Sequence, residues 1–155
     1  MILIALGSNM SDRAGMLRES MHELKAAGVH CLHASAVVET PAMLPPGAPP
    51  EWDIAFLNQV IEVETGLPAL ELLEVLKSTE LQLGRVNRGH WGPREIDLDL
   101  LDYHGMVLDH PRLVLPHARL HERRFVLEPL AQIAPQWRHP LLDRTAAELL
   151  ADLPA

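Results

Sequence analysis

Hydrophobic and polar positions follow three rhythms along the chain. Met1 to Leu6 is continuously apolar and stops at Gly7, which predicts a short buried strand. Ala14, Leu17, Met21 and Leu24 then recur at helical spacing, with Ser11 placed to cap the helix and Gly28 to stop it. Val29 to Glu39, rich in valine and small residues, predicts a second strand. Ile54 to Thr65 alternates, so Phe56, Asn58 and Val60 share one face and Leu57, Ile61 and Val63 the other. Pro68 suits the first turn of a helix, where a missing N–H does no harm. Leu72, Leu73, Leu76 and Leu83 line one face of that helix, and Gly84 ends it. Glu95 to Leu101 alternates as a further strand, Gly105 turns the chain, and Met106 to Leu108 is expected to return as a hairpin. After Pro116 the residues to Ala134 are helical in composition, with a break expected at Pro129, and a last short helix begins near Thr145.

Strand, helix, strand, strand, helix, strand is the βαββαβ order of a ferredoxin-like core. The expected fold class is α+β: an antiparallel sheet with helices packed on it, plus a C-terminal hairpin and helices. No repeat or interdomain linker interrupts the pattern, so residues 1–155 read as a single domain. The stretch 40–53, TPAMLPPGAPPEWD, holds five prolines and must be a loop, because proline neither donates to a ladder nor continues a helix. At about 14 residues it is long for a compact domain, and loops of that length are usually functional lids or disordered segments.

Composition narrows the class further. Hydrophobic residues at 48% and charged residues at 22% exclude collagen-like, coiled-coil and disordered chains. No apolar run approaches the roughly 18 residues of a membrane span, and the N-terminal run has no basic flank. The expectation is a cytoplasmic protein without a membrane partner. Cys31 is the only cysteine, which excludes an internal disulfide, and its apolar surroundings in sequence predict a packed thiol rather than a nucleophile. A net charge of −8 argues against a nucleic-acid partner. Within that average, residues 1–84 carry four basic side chains against eleven acidic ones, whereas 85–124 carry seven arginines against six acids. Arginine forks suit phosphate oxygens, and carboxylates beside them suit a divalent cation. A salt-bridged surface would give the same composition.

The densest chemistry lies in GRVNRGHWGPREIDLDLL at 84–101. Asp97 and Asp99, two apart on a strand, project from one face with Cα atoms about 7 Å apart. Adjacent carboxylates repel unless protonated or bridged, and hard oxygen donors favour Mg²⁺; an exposed acidic face is the alternative. Arg85, Arg88 and Arg94 flank a Gly-His-Trp-Gly-Pro turn, and with Trp91 they describe a site for a polyphosphate and a flat ring. No GxxxxGK[ST] or GxGxxG run is present, so P-loop and Rossmann readings lack support. Glu80 falls at or beside the apolar face of its helix and needs a partner there, as a rim residue held by an arginine or as a ligand contact. His117 and His121 have a zinc-compatible spacing without a third ligand, and Gly7-Ser8-Asn9 reads as a strand-ending turn more readily than as an anion site.

IALGSN at 4–9, TP at 40–41, FLNQV at 56–60, the 84–101 segment and LVLPHARLHERRFVLEPLAQIAP at 113–135 together resemble the 6-hydroxymethyl-7,8-dihydropterin pyrophosphokinase family over almost the whole chain. The WGPR-x-x-D-x-D run followed by L-x-x-PH and R-x-F is the specific part. In that family ATP transfers its β,γ-diphosphate to the hydroxymethyl oxygen of the pterin and releases AMP, a step of folate biosynthesis.

The resemblance implies Arg85, Arg94, Asp97 and Asp99 as catalytic residues, with Asp97 and Asp99 ligating two Mg²⁺ ions bound with ATP. It implies Glu80, Arg88, Arg94, Leu100, Arg112, His117 and Arg123 as ATP contacts. Thr40, Pro41, Met43, Phe56, Asn58, Trp91 and Phe125 would serve the pterin, the two phenylalanines as a sandwich. Loops 40–53 and 85–93 become the expected lids. The segment between Arg85 and Trp91 is one residue shorter than the family's best-known pattern, so Asn87 or Arg88 stands where a second loop arginine is expected. The partners implied are ATP and 6-hydroxymethyl-7,8-dihydropterin, acted on by a monomer. A noncatalytic pterin- or nucleotide-binding relative, and a nucleotidyltransferase using Asp97 and Asp99, are the competing readings.

Overall fold

The computed structural model describes residues 1–42, 44–86, 88–89 and 92–154. The chain runs β1 (Ile2–Ser8), α1 (Arg13–Ala26), β2 (His30–Ala34), β3 (Val38–Thr40), β4 (Phe56–Glu64), α2 (Ala69–Gln82), β5 (Asp97–Tyr103), β6 (Leu108–His110), β7 (Leu113–Leu115), α3 (Arg124–Ile133) and α4 (Ala146–Asp152), with 3-10 turns at Pro50–Trp52 and Leu120–Glu122. The main sheet has the order β2–β4–β1–β5, with β3 also paired to β4. Every pairing in it is antiparallel. The fold is therefore α+β.

Strand periodicity divides the sheet between two cores. On one face Ile4, Leu6, Ile61, Val63, Leu98 and Leu100 meet Leu17 and Leu24 of α1 and Leu72 and Leu76 of α2. On the other, Leu3, Val60 and Leu101 meet Val126, Leu127 and Leu130 of α3 and Ala146 and Leu149 of α4. The C-terminal strap is fastened by Trp137, whose Nε1 donates to Asp102 Oδ2 at 3.0 Å. No helix among the described residues is long and apolar enough to cross a membrane.

Several local expectations are corrected. Asp12, not Ser11, caps α1, accepting from the Gly15 N–H at 3.1 Å. A Cβ on Gly15 would stand 2.3 Å from Asp12 Oδ2, so the cap depends on glycine there. The expected second strand is two: between β2 and β3, Ser35 Oγ takes the Val60 N–H at 3.0 Å and Gln132 of α3 takes the Ala36 N–H at 2.9 Å, which interrupts the ladder. The hairpin joins β6 to β7 rather than returning on β5. Pro129 lies inside α3 without ending it. An interior proline costs about 3 kcal/mol, whereas burying Val126, Leu127 and Leu130 contributes roughly 1.5–3 kcal/mol each. Cys31 is exposed, not packed, because β2 is an edge strand whose five residues all face solvent. It lines a shallow groove of about 290 Å³ with Met21, His22, Lys25 and His30.

Candidate active site

The helices α3 and α4 cover only part of their sheet face, and the acidic pair lies beyond them. Leu98 and Leu100 fill the opposite core, so Asp97 and Asp99 project from the face shared with Phe56, Asn58 and Val60. Register sets Asp97 beside Gly7, Gly7 beside Asn58, and Asn58 beside Val38. Gly7 keeps this row open: a Cβ there would sit 3.3 Å from Asn58 Oδ1 and 3.9 Å from the Phe56 ring. Asn58 is buried and donates to Thr40 Oγ1 at 2.7 Å, which leaves its carbonyl oxygen on the Gly7 side. A cleft of about 430 Å³ opens nearby, lined by Glu39, Thr40, Pro41, Ala42, Asp53 and Ala55.

Charges converge at the other end of the row. Asp97 is clamped by two guanidiniums, Arg85 NH1 on Oδ1 and Arg94 NH1 on Oδ2, each at 2.9 Å. Arg85 is itself held by Glu80 Oε2 at 2.8 Å. Glu80 is 3% exposed and also accepts from the Leu98 N–H at 2.7 Å. Burial pushes its carboxyl above the ordinary range, opposed by Lys77, the Leu98 N–H and Arg85. Among the described residues none donates a hydrogen bond to the Asp99 carboxylate. Burial first, and Asp97 second, raise its pKa against the pull of Lys77, His117 and Arg123. His117 titrates below the usual histidine range, chiefly through burial and despite the attraction of Asp99. Its Nδ1 accepts from the Arg119 N–H at 3.3 Å, so the ring proton of the neutral imidazole belongs on Nε2.

The remaining expected residues fall at the margins. Arg123 lies 5.6 Å from the centroid of the Phe125 ring, at the start of α3. Phe56 and Phe125 are both half-buried. Arg112 is exposed at the β6–β7 turn and paired with Glu74 of α2 at 2.9 Å. Arg88 is committed to Glu95, at 2.7 and 2.9 Å. Burial works against the charge on Glu95, but the bonds from Arg88 and the Val86 N–H outweigh it and hold the pKa low. The Leu100 side chain is in the core, so only its backbone can serve the site. Leu98 gives its N–H to Glu80 and its C=O to Lys77, both away from β1. By the two-residue period, Leu100 presents its backbone groups to the same free edge. Met43, Asn87 and Trp91 lie outside the described residues.

Three residues escaped the sequence reading. Lys77, whose Nζ reaches the Leu98 carbonyl at 3.3 Å, was legible through its i, i+3 spacing to Glu80. Glu95 had no periodic signal linking it to Arg88. Asn9 bonds to residues 45 and 85 positions away, which no local pattern reveals.

A family model described as 7,8-dihydro-6-hydroxymethylpterin-pyrophosphokinase matches residues 3–135. The chain belongs to this family. A Methylorubrum extorquens relative named 2-amino-4-hydroxy-6-hydroxymethyldihydropteridine pyrophosphokinase is 45% identical over 85% of this chain and 81% of its own length. The Pseudomonas aeruginosa protein of the same name is 37% identical over 99% and 91%. A folate synthesis bifunctional protein of Chlamydia trachomatis is 36% identical over 99% of this chain, which spans 36% of that longer protein. Among solved structures, the wild-type HPPK-DHPS of Plasmodium falciparum with pteroate superposes with a TM-score of 0.72 at 15% identity, over 97% of this chain and 41% of that one. At that identity the likeness carries the fold alone.

Proposed function

We propose that the protein transfers the β,γ-diphosphate of ATP to the hydroxymethyl oxygen of 6-hydroxymethyl-7,8-dihydropterin and releases AMP, a step of folate biosynthesis. The observation that carries this reading is the row Asp97, Gly7, Asn58, which joins a charge-dense end to a side-chain-free floor and a buried amide. In-line displacement forms a bond from the hydroxymethyl oxygen to the β-phosphorus and breaks the bond from that phosphorus to the oxygen bridging the α-phosphate. That oxygen leaves with AMP, and the hydroxyl proton passes to water or to the carboxylate pair.

Each group then has a task. Asn58 and the backbone beside Thr40, Pro41 and Met43 bond the pterin edge, and Phe56, Phe125 and Trp91 enclose its ring. Arg85 and Arg94, which share Asp97, are the cations the triphosphate would draw off to balance its transferring charge. Glu80 holds Arg85 in readiness, while Arg88, Arg112, His117, Arg123 and the Leu100 backbone contact ATP. The donor set fits Mg²⁺: two hard carboxylates on one face, one of them without a donor among the described residues. Asp97 and Asp99 would hold two such ions, which when bound with ATP neutralise the triphosphate.

The strand order β2–β4–β1–β5 with α1 and α2 as connections supports a ferredoxin-like βαββαβ reading of the core. Two cores sharing one sheet support a single domain over residues 1–155. To test the function, the protein is incubated with ATP, MgCl₂ and the dihydropterin, and the nucleotide product is identified by chromatography. AMP formed only with both pterin and metal is expected. ADP would mean ordinary phosphoryl transfer, and binding without turnover would mean a noncatalytic relative.

A further inference from the structure

We infer that Asn9 is a positioning residue that couples the pterin-side loop to Arg94, an inference that rests on the diphosphoryl-transfer reading. Asn9 follows β1 directly and is 2% exposed. Its backbone N–H donates to the Arg94 carbonyl at 3.1 Å, and its Oδ1 accepts from the Arg94 N–H at 2.8 Å. Its Nδ2 donates to the Ile54 carbonyl at 3.2 Å, two residues before Phe56. One buried side chain thus clamps the backbone of a catalytic arginine and the end of the loop beside the pterin floor.

The same turn holds that loop a second time. Arg13 NH1 donates to the Ala55 carbonyl at 2.8 Å and to Glu39 Oε2 at 3.0 Å, joining the two ends of the loop without touching Arg94. The two residues therefore divide the labour: Arg13 acts on the loop only, Asn9 on both the loop and the arginine. Asparagine suits the place because it offers a donor and an acceptor on one short side chain, facing a backbone carbonyl and a backbone N–H. Aspartate keeps the acceptor for Arg94 and loses the donor for Ile54.

The test compares wild type, Asn9→Ala, Asn9→Asp and Arg13→Ala. It measures kcat for AMP formation, and pterin affinity by titration calorimetry with MgCl₂ and a non-hydrolysable ATP analogue. Asn9→Ala is expected to lower kcat by about tenfold or more and to weaken pterin binding by about tenfold, since displaced catalytic groups cost orders of magnitude. Asn9→Asp should recover most of kcat and leave pterin binding weak. Arg13→Ala should weaken pterin a few-fold with kcat within about twofold of wild type. Wild-type kcat in a folded Asn9→Ala variant, equal kcat losses in the Ala and Asp variants, or an Arg13→Ala loss matching that of Asn9→Ala would each overturn the coupling. Should Asn9→Asp not fold, the contrast between Asn9→Ala and Arg13→Ala decides. Wild-type protein that binds both ligands without forming AMP would refute the reaction, and Asn9→Ala must then still weaken pterin binding for the coupling to stand.

Discussion

Asp97 and Asp99 are equivalent by spacing and opposite by environment. Asp97 balances two arginines, whereas Asp99 is raised by burial and by Asp97 itself. Asp97→Asn should therefore lower the melting temperature of the ligand-free protein, and Asp99→Asn should raise it, by a few degrees each at roughly 2–4 °C per kcal/mol. Both should reduce AMP formation by more than about a hundredfold. Calorimetry and turnover on the same preparations check the pair. His139 gives a pH prediction away from the site. Burial and then His121 depress its pKa, against Asp102, and its Nδ1 accepts the N–H groups of Leu141 and Leu142. Above about pH 6.5 the imidazole is neutral in both states and contributes no pH dependence. As pH falls through that value the unfolded chain takes up the proton before the folded one, so stability drops until the folded imidazole protonates too. Urea unfolding at pH 7.5 and 5.5 should show this loss, and His139→Asn should reduce it.

At the scale of elements, caps and register matter more than propensity. Thr145 closes α4 with a reciprocal box, its hydroxyl accepting from the Glu148 N–H at 3.1 Å and its own N–H donating to Glu148 Oε1 at 3.2 Å. Thr145→Ala should cost about 1 kcal/mol and lower the melting temperature by about 2–4 °C without changing kcat. A larger loss of activity than of stability would show that α4, beyond the matched residues 3–135, acts on the site directly. The elements that hold the site were legible where periodicity was strong: β1, α1, α2 and β4 lie within a few residues of their expected places. Pro129 misled because proline is a local rule and α3 is held by its buried face. Cys31 misled because its apolar neighbours in sequence say nothing of which strand is outermost.

Across the whole molecule, ligand binding and folding are linked through the sheet. Mg²⁺ with ATP at about one hundred times its dissociation constant should stabilise the fold by about 2.7 kcal/mol, a rise of about 5–10 °C. Asp97→Asn and Asp99→Asn should abolish most of that rise in thermal shift assays. An undiminished rise in both variants would remove the metal assignment.

Candidate residues for the chemistry were present in one dimension. Asp97 and Asp99 share a face of one strand by parity, Phe56 and Asn58 share a face of another, and the arginines crowd residues 85–124, all properties of a period and a count. Tertiary structure alone decided which groups answer one another. It set Gly7 between Asp97 and Asn58, gave Asp97 two guanidiniums and left Asp99 without a donor among the described residues, tied Arg88 to Glu95, and turned Asn9 toward Arg94 and Ile54. These are contacts between segments tens of residues apart, chosen by sheet order and register, and local side-chain periodicity contains no term for either.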